Sequence, residues 1–189
     1  MKRSVIWGRA FWIPLRSIQA TLVLIVGLAA CSQPAPPTDR LVAGEPFPDI
    51  VLTGLDGSIS HLSDYRGKLV VLNLWATWCE PCRRELPNLQ QLSSSLDPQR
   101  VVVVGMAGDD DARLVGEYLR DKGVTFPNYI DKGQQISRQQ LGVQLFPYTL
   151  LIAPDGHFIQ RFAGPREWQR TEVIELLRRA FEGDYSGLQ

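Results

Sequence analysis

Trp78-Cys79-Glu80-Pro81-Cys82 is the segment of this 189-residue chain whose residue types and spacing best fit chemistry. Two cysteines separated by two residues at a helix start can close a disulfide with little backbone movement. The helix dipole and the free N–H groups of the first turn favour thiolate over thiol at the first cysteine. Pro81 suits that turn, where its missing N–H has no intrahelical partner to lose. The pattern reads as an attacking cysteine, Cys79, with a resolving one, Cys82, behind it. Two other uses of such a pair fit less well. A zinc site needs a full ligand set, and beyond these cysteines the chain offers only His61 and His157 and no second CxxC. An inert structural bridge would need neither Trp78 before it nor Pro81 inside it.

The elements around this segment must hold it at a strand–helix junction. Lys68-Leu69-Val70-Val71-Leu72-Asn73-Leu74-Trp75 is a nearly continuous apolar run, the pattern of a strand covered on both faces. Residues 80–96 carry Leu86, Leu89, Leu92 and Leu96 at helical spacing. A second buried strand is expected over 101–106 and a second helix over 112–122, stopped by Gly123. Residues 134–141 suit a short helix. Tyr148-Thr149-Leu150-Leu151-Ile152 and 158–162 read as a hairpin around Pro154-Asp155-Gly156, and 167–181 as a closing amphipathic helix. Phe47, Ile50 and Leu52, followed by Gly54-Leu55-Asp56-Gly57, read as an extended segment and turn. Strand–helix–strand–helix followed by a hairpin and helix predicts an α/β sandwich with a mixed sheet.

Asn73-Leu74-Trp75-Ala76-Thr77-Trp78-Cys79-Glu80-Pro81-Cys82-Arg83 resembles the thioredoxin superfamily, and more closely its exported TlpA/ResA branch of thiol-disulfide oxidoreductases. The resemblance spans residues 44–183 and implies a thioredoxin-like three-layer sandwich with extra N-terminal strands. Pro87 matches the proline that kinks the active-site helix. Phe146-Pro147 matches the cis-proline loop beside the cysteines, which implies substrate binding by Phe146 and Pro147, with Trp78 as a surface platform. Tyr148 departs from the Thr common after that proline and leaves the groove's selectivity open. Where classical thioredoxins bury an Asp beneath the resolving cysteine, this chain has Asn73, which cannot titrate. In the branch that the chain resembles, a Glu three residues beyond the second cysteine takes a related part, and Glu85 matches it. Read from its spacing alone, Glu85 is equally a solvated helix carboxylate balancing Arg83 and Arg84. Glu80 reads as exposed, and Trp75 as cover for the disulfide or ordinary core. His61 and His157 read as surface residues in or near turns, and Asp109-Asp110-Asp111 as a helix cap and loop. No cofactor and no metal site is implied.

The remaining cysteine belongs to an address. Residues 1–16 carry four basic residues and no acid, and an apolar run leads to Leu28-Ala29-Ala30-Cys31. A basic segment before a short apolar one is the layout of a secretory signal. The small residues before Cys31 resemble the bacterial lipobox, which implies cleavage of residues 1–30 and lipidation of Cys31. An uncleaved signal-anchor is the other reading, and either way the rest of the chain leaves the cytoplasm. Residues 31–43 then form a Pro-rich tether, whose first ten or so residues at ~3.1 Å each reach roughly 30 Å from the bilayer. A lipoprotein on the periplasmic side of a membrane is the expectation. Ser32 in place of the Asp associated with inner-membrane retention favours the outer membrane. Residues 184–189 are left as a tail.

Composition excludes several classes. The formal net charge is zero, but 1–30 hold basic residues only, so 31–189 hold 16 basic against 20 acidic residues, a net of −4. That balance argues against nucleic acid as a partner. Three cysteines cannot form the framework of a disulfide-stapled mini-domain. The expected activity is reduction of protein disulfides at Cys79 and Cys82. The resemblance implies a membrane electron donor of the DsbD or CcdA kind and apocytochrome c as one substrate. Oxidase or isomerase activity is the nearest alternative, because CxxC chemistry runs both ways. A thiol peroxidase would need Thr-x-x-Cys, whereas Thr77 is two residues before Cys79. A copper-delivery module would use CxxxC with a partner His.

Overall fold

The structure, a computed structural model, describes residues 41–188. The expected signal over 1–30, Cys31 and most of the tether therefore lie outside the described residues. Among the described residues, seven strands form one mixed sheet: β1 (Val51–Gly54), β2 (Ile59–His61), β3 (Leu69–Trp75), β4 (Val101–Ala107), β5 (Asn128–Ile130), β6 (Tyr148–Ile152) and β7 (Phe158–Ala163). Their order is β2-β1-β5-β4-β3-β6-β7. Strands β3, β4 and β5 run parallel, while β6 lies antiparallel to β3, β7 to β6, and β1 to both β5 and β2. The α-helices are α1 (Glu80–Ser95), α2 (Ala112–Asp121) and α3 (Thr171–Phe181).

Strand β3 is interior to the sheet and buried along its whole length, as its nearly continuous apolar run requires. Its period of two divides the core. Leu69, Val71 and Trp75 pack with Leu86, Leu89 and Leu92 of α1, Val115 and Leu119 of α2, and Leu177 and Ala180 of α3. Val70, Leu72 and Leu74 face the other way, toward Phe47, Ile50, Leu62, Leu141 and Val143. Helices thus cover one face. The leading segment, a 3-10 turn at Leu62–Tyr65 and the region after β5 close the other. This is the thioredoxin-like α/β fold that the resemblance implied.

Several local expectations shift. The three-residue β5 carries no apolar run of its own and is held between β4 and β1. The short helix expected over 134–141 is a π-helical turn at Gln135–Gln140, whose first N–H groups are capped by the buried Asp131 carboxylate. His61 ends β2 as the N-cap residue of the 3-10 turn, an exposed residue beside a turn as expected. Helix α3 begins at Thr171, not 167, because the preceding residues form a loop that folds back over α1. The domain's contacts also reach past 44–183. The Leu41 carbonyl accepts from the Arg161 guanidinium. Residues 184–188 fold back, burying Leu188, whose carbonyl accepts from Gln160 Nε2 at 3.2 Å.

Candidate active site

The end of β3 hands the chain directly to α1. Cys79 is the N-cap of α1, in extended conformation, and its Sγ accepts from the Cys82 N–H at 3.3 Å. Pro81 lies in the first turn, as the missing N–H favours. Cys79 and Cys82 are joined as a disulfide with a Cα–Cα separation of 5.3 Å. Cys79 retains 6% exposure and Cys82 only 1%. Cys79 is thus the more accessible of two buried cysteines, and Cys82 lies behind it in the helical core. Glu80 is exposed and pairs with Arg83 and Arg84 at 3.3 and 3.1 Å.

That pairing bears on Glu85. Its two expected basic partners are taken by Glu80, and Glu85 is itself buried. Oε1 accepts from the Trp168 indole N–H at 2.6 Å and the Arg166 backbone N–H at 2.9 Å. Oε2 accepts from Asn73 Nδ2 at 3.2 Å, and the same amide donates to Thr149 Oγ1 at 2.9 Å. The reading of Glu85 as a solvated surface carboxylate is therefore corrected. Burial pushes its pKa above the usual carboxylate value, while the hydrogen bonds from Trp168, Arg166 and Asn73 oppose that shift. Asn73 Oδ1 is buried without a donor among the described residues.

A second loop stands beside the first. The Phe146–Pro147 peptide bond is cis, as the resemblance implied. The Phe146 ring meets that of Trp78 with centroids 6.0 Å apart. Trp78 is 61% and Leu145 78% exposed, so the two loops together present apolar surface next to the cysteines. Among the described residues, neither the N–H nor the carbonyl of Phe146 has a backbone partner. Pro147 is buried, and its carbonyl accepts from Gly164 at 3.0 Å. Phe146 packs directly on Gly108, where an added Cβ would lie 2.6 Å from the ring. Only glycine permits that approach.

Asp109 and Trp75 support the active-site turn. Asp109 is buried, and its carboxylate accepts from the Thr77 N–H at 3.0 Å and the Thr77 hydroxyl at 2.5 Å. The expected helix cap belongs to Asp111 alone, which accepts from Arg113 and Leu114, whereas Asp110 accepts from Gly133. Trp75 is fully buried, donates to Asn128 Oδ1 at 3.0 Å and packs on Tyr118. It belongs to the same packed cluster as both cysteines. Sequence reasoning missed Asp109, Arg166 and Trp168. The run of three Asp and a tryptophan before α3 were visible, but nothing local pairs them with Thr77 and Glu85.

A CxxC disulfide opening a helix on a mixed sheet, beside a cis-proline loop, defines a thioredoxin-fold thiol-disulfide oxidoreductase. The chain belongs to the AhpC/TSA family, which matches residues 43–161. Among curated relatives, thiol-disulfide oxidoreductase ResA of Bacillus thuringiensis (strain Al Hakam) is 32% identical over 134 residues, 71% of this chain and 77% of that one. ResA of Geobacillus kaustophilus is 34% identical over 154 residues, 79% and 88% of the two chains. A crystal structure from Chlorobium tepidum, described as a thiol:disulfide interchange protein DsbE, superposes with a TM-score of 0.67 at 28% identity. It covers 75% of this chain and 99% of its own.

Proposed function

We propose that the protein is a membrane-tethered, extracytoplasmic reductant of protein disulfides. The observation that carries the reading is the disulfide at the N-terminus of α1, in which Cys79, the N-cap, keeps 6% exposure and Cys82, behind it, only 1%. The reduced Cys79 thiolate attacks one sulfur of a substrate disulfide, forms a mixed disulfide and expels the other substrate sulfur as a thiol. Cys82 then loses its proton and attacks Cys79 Sγ. The substrate leaves reduced by two electrons, and the Cys79–Cys82 disulfide carries the oxidation. Glu85 accepts the Cys82 proton. Its raised pKa suits that role, because a base poised nearer neutrality takes a thiol proton more readily than an ordinary carboxylate. The unpaired backbone of Phe146 lets an extended substrate segment add as a strand, while Trp78 and Phe146 supply the apolar contact.

The direction of electron flow rests on Glu80. With Pro81 it supplies no positive partner between the cysteines for the strongly stabilised thiolate of an oxidant, and Arg83 and Arg84 are engaged with Glu80 itself. A membrane donor of the DsbD or CcdA kind would return the electrons, and apocytochrome c is a substrate this reading accommodates. The lipobox-like Leu28-Ala29-Ala30-Cys31 supports the tether. Equilibration of Cys79–Cys82 against a dithiothreitol or glutathione series tests the direction. A potential near thioredoxin's ~−270 mV is expected, and one near ~−120 mV would assign the protein to oxidation instead. Peroxide consumption without a dithiol substrate, or tight copper binding by the reduced pair, would point to a peroxidase or a copper-delivery module.

A further inference from the structure

The loop between β7 and α3 reaches the active-site helix at one point, Glu85. Trp168, more than eighty residues away in sequence, gives the carboxylate its shortest hydrogen bond. The indole is buried and packs edge-on against Phe162 with centroids 5.6 Å apart, so its N–H is aimed by the fold. Oε1, with donors from Trp168 and Arg166, has both acceptor positions filled. Oε2 takes a single, longer bond from Asn73 and keeps an acceptor position. The two oxygens of one carboxylate are therefore unequal.

We propose that Trp168 is a positioning residue for the dithiol exchange: its indole N–H, with the Arg166 N–H, pins Oε1 of Glu85 and reserves Oε2 to take the proton of Cys82. The inference rests on the reading of Cys79 and Cys82 as attacking and resolving cysteines. The groups that bear on Glu85 from the elements around it are few. Cys82 stands on the same helix, Asn73 comes from β3, Thr149 reaches through Asn73 from β6, and Arg166 and Trp168 come from the loop. Among these only Arg166 is charged and only Cys82 titrates besides Glu85. The Arg166 guanidinium lies over the Phe162 ring at 4.4 Å, leaving its backbone N–H as the direct bond to the carboxylate. Removing the indole donor withdraws support from the ionised form. The midpoint at which Glu85 becomes a competent base then moves to higher pH.

A disulfide with a chromogenic thiol as both halves separates the steps. Reduced full-length protein in detergent releases one chromophore when Cys79 attacks and a second when Cys82 resolves the mixed disulfide. In Trp168→Phe the first phase should keep its rate, while the pH midpoint of the second rises by about one unit or more, the scale of a lost hydrogen bond to a charged group. Glu85→Gln should abolish that midpoint, and adding Trp168→Phe to it should change nothing further. A second-phase midpoint equal to the parent's, or the same displacement in the Glu85→Gln background, would overturn the proposal. Absence of both phases in the parent would instead overturn the underlying assignment of the cysteines. If Trp168→Phe does not fold, the indole N–H resonance of Trp168 in the parent supplies the test. It should shift with pH in the parent and stay flat in Glu85→Gln, and a flat resonance in both would overturn the proposal.

Discussion

Glu85 shows how far burial alters a residue that looks ordinary in sequence. A Glu on a helix beside two arginines is commonplace, yet here the arginines turn to Glu80 and the carboxylate is enclosed. Because its pKa is raised in the fold, the folded protein keeps a proton over a pH window in which the unfolded chain has already released it. The stability Glu85 contributes therefore falls as pH rises from the ordinary carboxylate value through the raised one, and is level beyond both. Urea unfolding of the oxidised protein should show this decline, and Glu85→Gln should remove it from the difference between the two. A parallel pair of curves would show that Glu85 titrates normally. Cys79 and Cys82 were legible at this scale because their whole signal lies within five residues. Trp168 was not, because its role depends on a partner 83 positions away.

At the scale of elements, the active-site turn is held by its neighbours more than by its own residues. Asp109, just after β4, closes on Thr77, just after β3, and the two strands lie side by side in parallel. Asp109→Ala leaves the Thr77 N–H without its acceptor and should cost about 1–3 kcal/mol in chemical denaturation. Asp109→Asn, which keeps one acceptor oxygen, should cost less. Gly108 allows Phe146 to lie against the end of β4, so Gly108→Ala should displace the ring. The expected result is a raised KM for a peptide disulfide, with the chemical step on a small disulfide little changed.

Much of the fold was readable from local pattern. The apolar run of β3, the leucine spacing of α1 and the Pro-Asp-Gly turn between β6 and β7 each state their structure within a short window. Strand β5 does not, since Asn128–Ile130 is a strand only because β4 and β1 flank it. The start of α3 was misplaced for a related reason. Residues 167–170 have acceptable helical character, but the fold uses them to carry Trp168 to Glu85.

On the scale of the whole molecule, the zero net charge conceals two unlike parts, residues 1–30 with basic residues only and an acidic remainder at −4. If Cys31 holds the lipid, Cys31→Ser should move the protein from the membrane fraction to the soluble fraction while leaving the reactivity of Cys79 intact. Retention in the membrane would favour an uncleaved anchor. The three cysteines then divide into one that places the protein and two that react.

The assignment of an attacking Cys79 and a resolving Cys82 can be put to trial in cells. With Cys82→Ser the second step is blocked, and substrate proteins should accumulate as mixed disulfides on Cys79, seen as reducible high-mass species on non-reducing gels and mapped by mass spectrometry. Absence of any such adduct, or equal trapping by Cys79→Ser through Cys82, would contradict the mechanism.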